Sequence, residues 1–255
     1  MGIVEKYLRG RVALSETNQV DLSLNDQCLN TVIAYNKYGA YCVPVSTQNG
    51  VLARKILRGE VFEPDTIEFM RSNVKEGDII HSGACFGDFF PGLSTALQPD
   101  SRIWTFEPSR ESFRCAEITL LLNNITNVNL FPTGLGEKSA QEYLNTQNKK
   151  GVSLGGSSSI GEKSEIGQWD EIEIVAIDEV IPANRNISIL QLDIEGYEEQ
   201  ALKGALKTIK RCRPILILED DQKITQSDWF KSNVLSLDYQ IDKKLHYNRI
   251  IMPKS

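Results

Sequence analysis

The sequence predicts a doubly wound α/β fold: a mostly parallel sheet with an antiparallel C-terminal edge, preceded by a mainly helical N-terminal extension. Three observations predict it. From Asp78 onward, short apolar runs alternate with helix-length segments, and that alternation requires crossover connections and a parallel sheet covered on both faces. The runs Ile189-Leu190-Gln191-Leu192 and Pro214-Ile215-Leu216-Ile217-Leu218 are apolar at nearly every position, as strands buried on both sides must be. Residues 237–241 and 245–252 read as a closing hairpin, the common place for an antiparallel edge on such a sheet.

Taken in order, residues 1–75 read as mostly helical. Residues 24–38 carry an apolar stripe of Cys28, Leu29, Val32, Ile33 and Tyr35, which approximates a helical face, and Gly39 supplies a stop. A second helix is expected over 51–58, ending at Gly59, and a third from Pro64, the favoured first helical position. The expected division is therefore a helical extension over 1–75 and an α/β domain over 76–255. Within the latter, strands are expected at 78–82, 102–106, 128–133, 187–193 and 214–219, and helices at 88–97, 110–122 and 197–209. Residues 147–167 are rich in Gly, Ser, Lys and Glu. They read as a linker or a mobile loop over a site, and the loop is favoured because compact domains seldom carry long structureless connections without a use. Residues 171–177 then alternate like a strand.

Composition narrows the function. The 255 residues hold 28 Lys plus Arg against 34 Asp plus Glu, for a net charge of −6. That balance argues against bulk nucleic-acid binding, which draws its affinity from neutralising many phosphates. The five cysteines are widely spaced with no C-x-x-C pair, so neither a disulfide framework nor a zinc site is expected, and a reduced compartment is. Residues Met1 to Lys6 have no apolar run, and the longest apolar stretches are strand-sized, far short of the ~20 residues of a membrane span. The expectation is a soluble, cytoplasmic protein with no membrane partner. Oligomeric state is not legible.

Three segments can carry chemistry. In His81-Ser82-Gly83-Ala84-Cys85-Phe86-Gly87-Asp88, a buried strand runs through a glycine turn into a helix. Glycine serves where backbone bends sharply or a ligand approaches closely, and such a turn borders the crevice where doubly wound sheets bind ligands. Neither G-x-G-x-x-G nor a P-loop is present, which disfavours dinucleotide oxidoreductases and nucleotide triphosphatases. Glu107, in Phe106-Glu107-Pro108, ends the next strand 24 residues beyond Gly83. There a carboxylate is either merely solvated or able to accept both ribose hydroxyls of a nucleoside. Asp193 and Glu195, in Asp193-Ile194-Glu195-Gly196-Tyr197-Glu198, end a third strand at the same rim. Glu195 and Glu198 can be read as helix N-terminal charge; Asp193 is harder to explain structurally. With only His81 and His246 as histidines, a histidine-rich metal centre is excluded. An oxygen-ligand Mg²⁺ or Ca²⁺ site is not, although no metal ligand is assigned.

On these residues, and on Arg213-Pro214-Ile215-Leu216-Ile217-Leu218-Glu219, the sequence resembles the FkbM-type methyltransferases, which are class I S-adenosylmethionine (SAM)-dependent enzymes. The resemblance covers residues 75–220 and is most specific at Asp193–Glu198. It implies a seven-stranded Rossmann-like methyltransferase sheet, SAM as cofactor, and methylation of a hydroxyl of a sugar, glycan or small metabolite. The cofactor-facing set it implies is Glu63, His81, Ser82, Gly83, Phe86, Gly87, Asp88, Glu107, Pro108 and Asp193, with Asp193 and Glu195 catalytic. One position departs: the family's usual Asp two residues before the first glycine is His81 here, and Glu63 is the candidate to supply a carboxylate instead. The competing expectation is a non-catalytic or differently specialised Rossmann-like nucleotide-binding protein.

Overall fold

Strands with no exposed face set the middle of the molecule. The computed structural model describes residues 29–220 and 222–254. A hairpin of β1 (Thr31–Asn36) and β2 (Gly39–Pro44) leads to α1 (Val51–Leu57) and α2 (Pro64–Asn73). The alternating part begins with β3 (Asp78–Ser82), α3 (Phe90–Ser94), β4 (Ile103–Phe106), α4 (Arg110–Leu122) and β5 (Val128–Phe131). A side unit follows: β6 (Gly134–Leu135), β7 (Ala140–Gln147), β8 (Ser159–Gly161) and β9 (Gln168–Val175). After α5 (Ile177–Val180) come β10 (Ile187–Leu192), α6 (Glu198–Lys203), α7 (Leu206–Cys212) and β11 (Ile215–Glu219). Last are α8 (Asp228–Asn233) and the hairpin of β12 (Tyr239–Leu245) and β13 (Asn248–Pro253).

The main sheet has the order β12-β13-β11-β10-β3-β4-β5. Its five central and right-hand strands run parallel, and β13 pairs antiparallel with both β11 and β12. Because successive side chains point to opposite faces, one face carries Ile80, Leu190, Leu192, Leu216 and Leu218, and the other Ile79, Ile189, Ile215, Ile217 and Ile250. Each set is the centre of its own apolar cluster, so the sheet is sandwiched as a mostly parallel sheet must be. At the opposite end of the strands from the site described below, buried Asp78 accepts hydrogen bonds from Arg102 N (2.9 Å), Trp104 Nε1 (2.7 Å) and Arg185 Nε (2.7 Å). No helix among the described residues is long and apolar enough to cross a membrane.

The structure corrects three expectations. Residues 31–38 are not helical. Asn36 pairs with Gly39 across a two-residue turn, and the Asn36 side chain accepts the Tyr38 N–H at 2.9 Å, a local bond that favours turns over helix. The run Thr31-Val32-Ile33 is β-branched, which suits a strand, and the supposed core stripe is exposed at Val32, Ile33 and Tyr35. Residues 24–28 of the expected helix lie outside the described residues. The second is that the loop expected over 147–167 carries a strand at 159–161, and residues 140–147, for which no element was expected, form another. In β7 only Leu144 is buried, so the strand is held by its ladder to β9 and leaves almost no hydrophobic alternation to read. The third is that the helix expected over 197–209 is two, α6 and α7, interrupted at Gly204. A Cβ on Gly204 would stand 2.0 Å from the Gly136 carbonyl oxygen, so the chain passes that backbone only as glycine.

The helices expected at 51–58 and from Pro64 are present as α1 and α2. The N-terminal part packs directly on the α/β part: Tyr41, Cys42 and Ile56 share an apolar cluster with Phe86 and Cys115.

Candidate active site

Parallel strands deliver their C-terminal residues to one rim, and here β3, β4, β10 and β11 end side by side. Beyond β3 the chain turns through Gly83 at φ +90°. A Cβ at Gly83 would lie 1.9 Å from the Asp193 carbonyl oxygen. Glycine is therefore required first by the neighbouring strand end, whose Asp193 N–H donates to Ser82 O at 3.1 Å. Cys85, at φ +46°, donates its N–H to Glu107 Oε2 at 2.7 Å, and Ser109 N–H reaches Glu107 Oε1 at 2.9 Å. The Glu107 carboxylate thus ties the β3 turn to the end of β4. It still keeps spare acceptor capacity, since a carboxylate offers about four lone-pair sites. Beyond β10, Glu198 Oε1 accepts the N–H groups of Ile194 (3.0 Å) and Gly196 (3.3 Å). That bracing holds Glu195 in the left-handed region at φ +54°. Glu198 therefore organises the loop rather than simply facing a helix N-terminus.

These turns enclose a cavity of about 350 Å³, inside the range of small-molecule sites. It is lined by Glu63, His81, Ser82, Gly83, Phe86, Asp88, Glu107, Pro108, Asp193 and Glu195, so all but one of the expected site residues meet in one place. The exception is Gly87. It does not line the cavity; its N–H closes a turn onto Ala84 O at 2.7 Å, and at φ +82° it backs onto the Phe90 ring, which a Cβ would approach to 2.5 Å. Its glycine is conformational.

Electrostatically the cavity is one-sided. Six carboxylates line it (Glu63, Asp88, Glu107, Asp193, Glu195 and Glu219), with no lysine or arginine among its described lining residues. Burial pushes Asp88 up to about 8 and Glu107 up to about 7, the latter against its two backbone donors. Burial also raises Glu63, which accepts the Asn248 Nδ2–H at 2.7 Å. His81 is buried and held neutral, its value lowered by burial to about 4. Its Nδ1 pairs with Gln191 Oε1, and its ring stacks on Phe89 at 4.9 Å. At the position of the missing acid stands a neutral imidazole whose Nδ1 is tied to Gln191 and whose buried Nε2 has no partner; Asp88 and Glu63 are carboxyls in the same cavity that can stand in for the acid.

The sequence reading missed Glu219 as a site residue, although a strand ending in an acid beside another such strand was the available signal. It also missed Gln191 and the wall from Ser46, Thr47, Asn49 and Leu52. The segment 153–158 lines the cavity too, and Gly155, at φ +55°, lies so close to Thr47 that a Cβ would meet its Cγ2 at 2.8 Å.

A model of the methyltransferase FkbM domain matches residues 81–247, a span that starts at the end of β3 and contains β4, β10, β11 and the rim between these strand ends. The chain belongs to the FkbM methyltransferase domain family. No curated protein matches the chain. Among solved structures, the methyltransferase FkbM of Methylobacillus flagellatus KT is similar at 21% identity and a TM-score of 0.47, over 69% of this chain and 42% of that one. This chain thus spans less than half the length of that FkbM protein. The tRNA (uracil-54, C5)-methyltransferase of Pyrococcus abyssi, solved with S-adenosyl-L-homocysteine, is similar at 10% identity and a TM-score of 0.46, over 87% and 43%. A SAM-dependent methyltransferase from Aquifex aeolicus gives 12% identity and 0.41, over 76% and 91%.

Proposed function

We propose that the protein binds SAM in the strand-end cavity and methylates a hydroxyl of a sugar or small metabolite. The observation that carries this reading is the meeting of the Gly83 turn, Glu107 and the Asp193–Glu195 rim in one cavity that is acidic and, among its described lining residues, lacks cationic side chains. SAM supplies a methyl group on a positively charged sulfur. The residues present suit such a cation. Glu107 holds the ribose hydroxyls on its spare lone pairs, and Asp88 with Glu63 offers the ammonium group a carboxylate that His81 does not.

Asp193 and Glu195 orient the acceptor and receive its proton. Methyl transfer depends chiefly on alignment of donor and acceptor, and a hydroxyl acceptor adds the need for a base. Opposite the strand ends, the walls from Ser46, Thr47, Asn49, Ser153, Ser157 and Ser158 present hydroxyl and amide groups that both donate and accept hydrogen bonds. That lining suits a neutral, hydroxyl-rich acceptor. An acceptor phosphorylated next to the reacting oxygen is disfavoured by the surrounding carboxylates.

The test is incubation with methyl-labelled SAM and a metabolite or glycan extract. Label recovered as a methyl ether supports the proposal. SAM binding with no labelled product from any pool assigns the fold to a non-catalytic binding role, and label found only on nitrogen or carbon refutes the acceptor class.

A further inference from the structure

Glu219 enters the site through sheet register alone. β10 and β11 are parallel neighbours with Leu192 beside Leu218, so the next residues, Asp193 and Glu219, leave the sheet side by side. Carboxylate oxygens of Asp193, Glu195 and Glu219 lie within 4.8 Å of one another, and all three residues line the cavity. The Asp193 and Glu219 carboxyls stand close enough that each raises the other's hold on a proton. An ionised carboxylate can only accept, so the two can bond to each other only with a proton between them. An unsatisfied polar atom lies on the strand next to the pair. Asn248, directly opposite Glu219 on β13, is wholly buried, gives its Nδ2–H to Glu63 and leaves Oδ1 with no partner.

We propose that Asp193 and Glu219 form one proton-sharing carboxyl pair that releases its proton when a cationic ligand enters the cavity and then takes the proton of the acceptor hydroxyl. Glu219 is thereby a catalytic residue beside Asp193. The proposal rests on the methyltransferase reading above. Its charges and atoms balance. The pair gives one proton to solvent as a positive sulfonium arrives. As the acceptor oxygen gains the methyl group, its O–H bond breaks toward the pair, one carboxylate charge is neutralised, and the sulfur becomes a neutral thioether. The pair ends singly protonated, as it began.

The surroundings favour this cycle. Desolvation, then the charge of Glu219, pushes Asp193 well above the ordinary carboxylate range. Two adjacent carboxyls of this kind titrate as a unit. Facing them are further acids, Glu63, Glu195 and Glu198, with Tyr247 at the cavity edge. The cation nearby is otherwise engaged: Arg249 pairs with Asp220 at 3.4 Å. A ligand's own positive charge is therefore the natural trigger for ionisation.

The experiment is calorimetry of SAM and of S-adenosylhomocysteine binding at neutral pH in buffers of different ionisation enthalpy, which counts protons released. The two ligands differ only in the methyl group and its charge, so groups answering the shared adenosyl and amino-acid parts cancel. SAM is expected to release up to about one proton more than S-adenosylhomocysteine, and Glu219→Gln is expected to abolish the difference while still binding S-adenosylhomocysteine within threefold. With a labelled acceptor pool, the same variant should lower transfer by ~10²-fold or more and flatten its rise with pH.

Equal proton release for the two ligands in the native protein overturns the proposal, as does a difference that survives Glu219→Gln. Loss of S-adenosylhomocysteine binding in the variant also overturns it, placing Glu219 in the frame of the pocket. A requirement for Mg²⁺ or Mn²⁺ in SAM binding overturns it in favour of an ion held by the carboxylates. Failure of the native protein to bind either ligand is a different result: it removes the methyltransferase reading, and the pair's role with it.

Discussion

Glu107→Gln tests the cofactor grip most directly. In the native protein both carboxylate oxygens are tied to backbone N–H groups, of Cys85 at 2.7 Å and Ser109 at 2.9 Å, so the side chain is fixed before any ligand arrives. Glutamine keeps the shape but removes the charge and turns an NH₂ group toward one of those donors. Hydrogen bonds to a charged group contribute about 1.5–3 kcal/mol each. Losing one such bond to a ribose hydroxyl therefore raises the dissociation constant for S-adenosylhomocysteine by roughly 10- to 150-fold.

A pH signature accompanies the loss. The carboxyl, raised by burial to about 7, accepts from the ligand only when ionised. With Asp88 replaced by Asn, affinity should then climb with pH and level off near pH 8, and at pH 6 only about a tenth of the plateau affinity remains. Titration calorimetry at pH 6 and pH 8 measures both effects, with Asp88→Asn as the control for the other acid that titrates in this range. The glutamine variant should be weak at both pH values and show a flatter slope. An affinity at pH 8 within threefold of the native protein, or an unchanged slope, would refute the assignment.

Three further outcomes are expected. Gly83→Ala places a methyl group 1.9 Å from the Asp193 oxygen at φ +90°; denaturant unfolding should show a loss of at least ~2 kcal/mol, with ligand binding impaired through the splayed strand ends. Asp78→Asn removes the charge that holds Arg185 and Trp104 at the far end of the sheet, and urea melts should register a loss of about 2–4 kcal/mol with S-adenosylhomocysteine affinity in the folded fraction unchanged. Asp88 has a folded value of about 8, raised by burial, so its contribution to stability is present in acid and lost as pH rises toward 8. The ligand-free protein should accordingly melt at progressively lower temperature from about pH 5 to pH 8, and Asp88→Asn should flatten that fall; a native profile that rises over this window contradicts the burial argument.

The legible part of the fold was the part with a local cause. Residues of β10 and β11 cannot avoid burial, so their sequence is apolar at nearly every position, and β3 and β4 announce themselves by the turn and the acid that follow. β7 was hidden because a strand with one buried residue carries no period, although it is paired on both sides. β1 was misread because three apolar residues at helical spacing, Val32, Ile33 and Tyr35, are exposed and serve no core. At the site, Glu107 and Asp193 were visible as acids closing apolar strands, whereas Gly87 was counted because a turn glycine looks the same whether a ligand or a phenylalanine lies behind it.

The chain by itself determined where strands end and which of them end in carboxylates, because each strand's burial and each turn's glycine are short-range demands written within a few residues. Only the tertiary structure decided which ends are neighbours. Asp193 and Glu219 stand 26 positions apart in the chain and become partners through the register of two parallel strands. His81 is tied to Gln191 from another strand and held neutral by burial, and the wall near Thr47 closes onto Gly155 in the turn between β7 and β8. Side-chain chemistry is a property of sequence, but the desolvation and mutual repulsion that set its proton affinity depend on distance, and distance is fixed by packing.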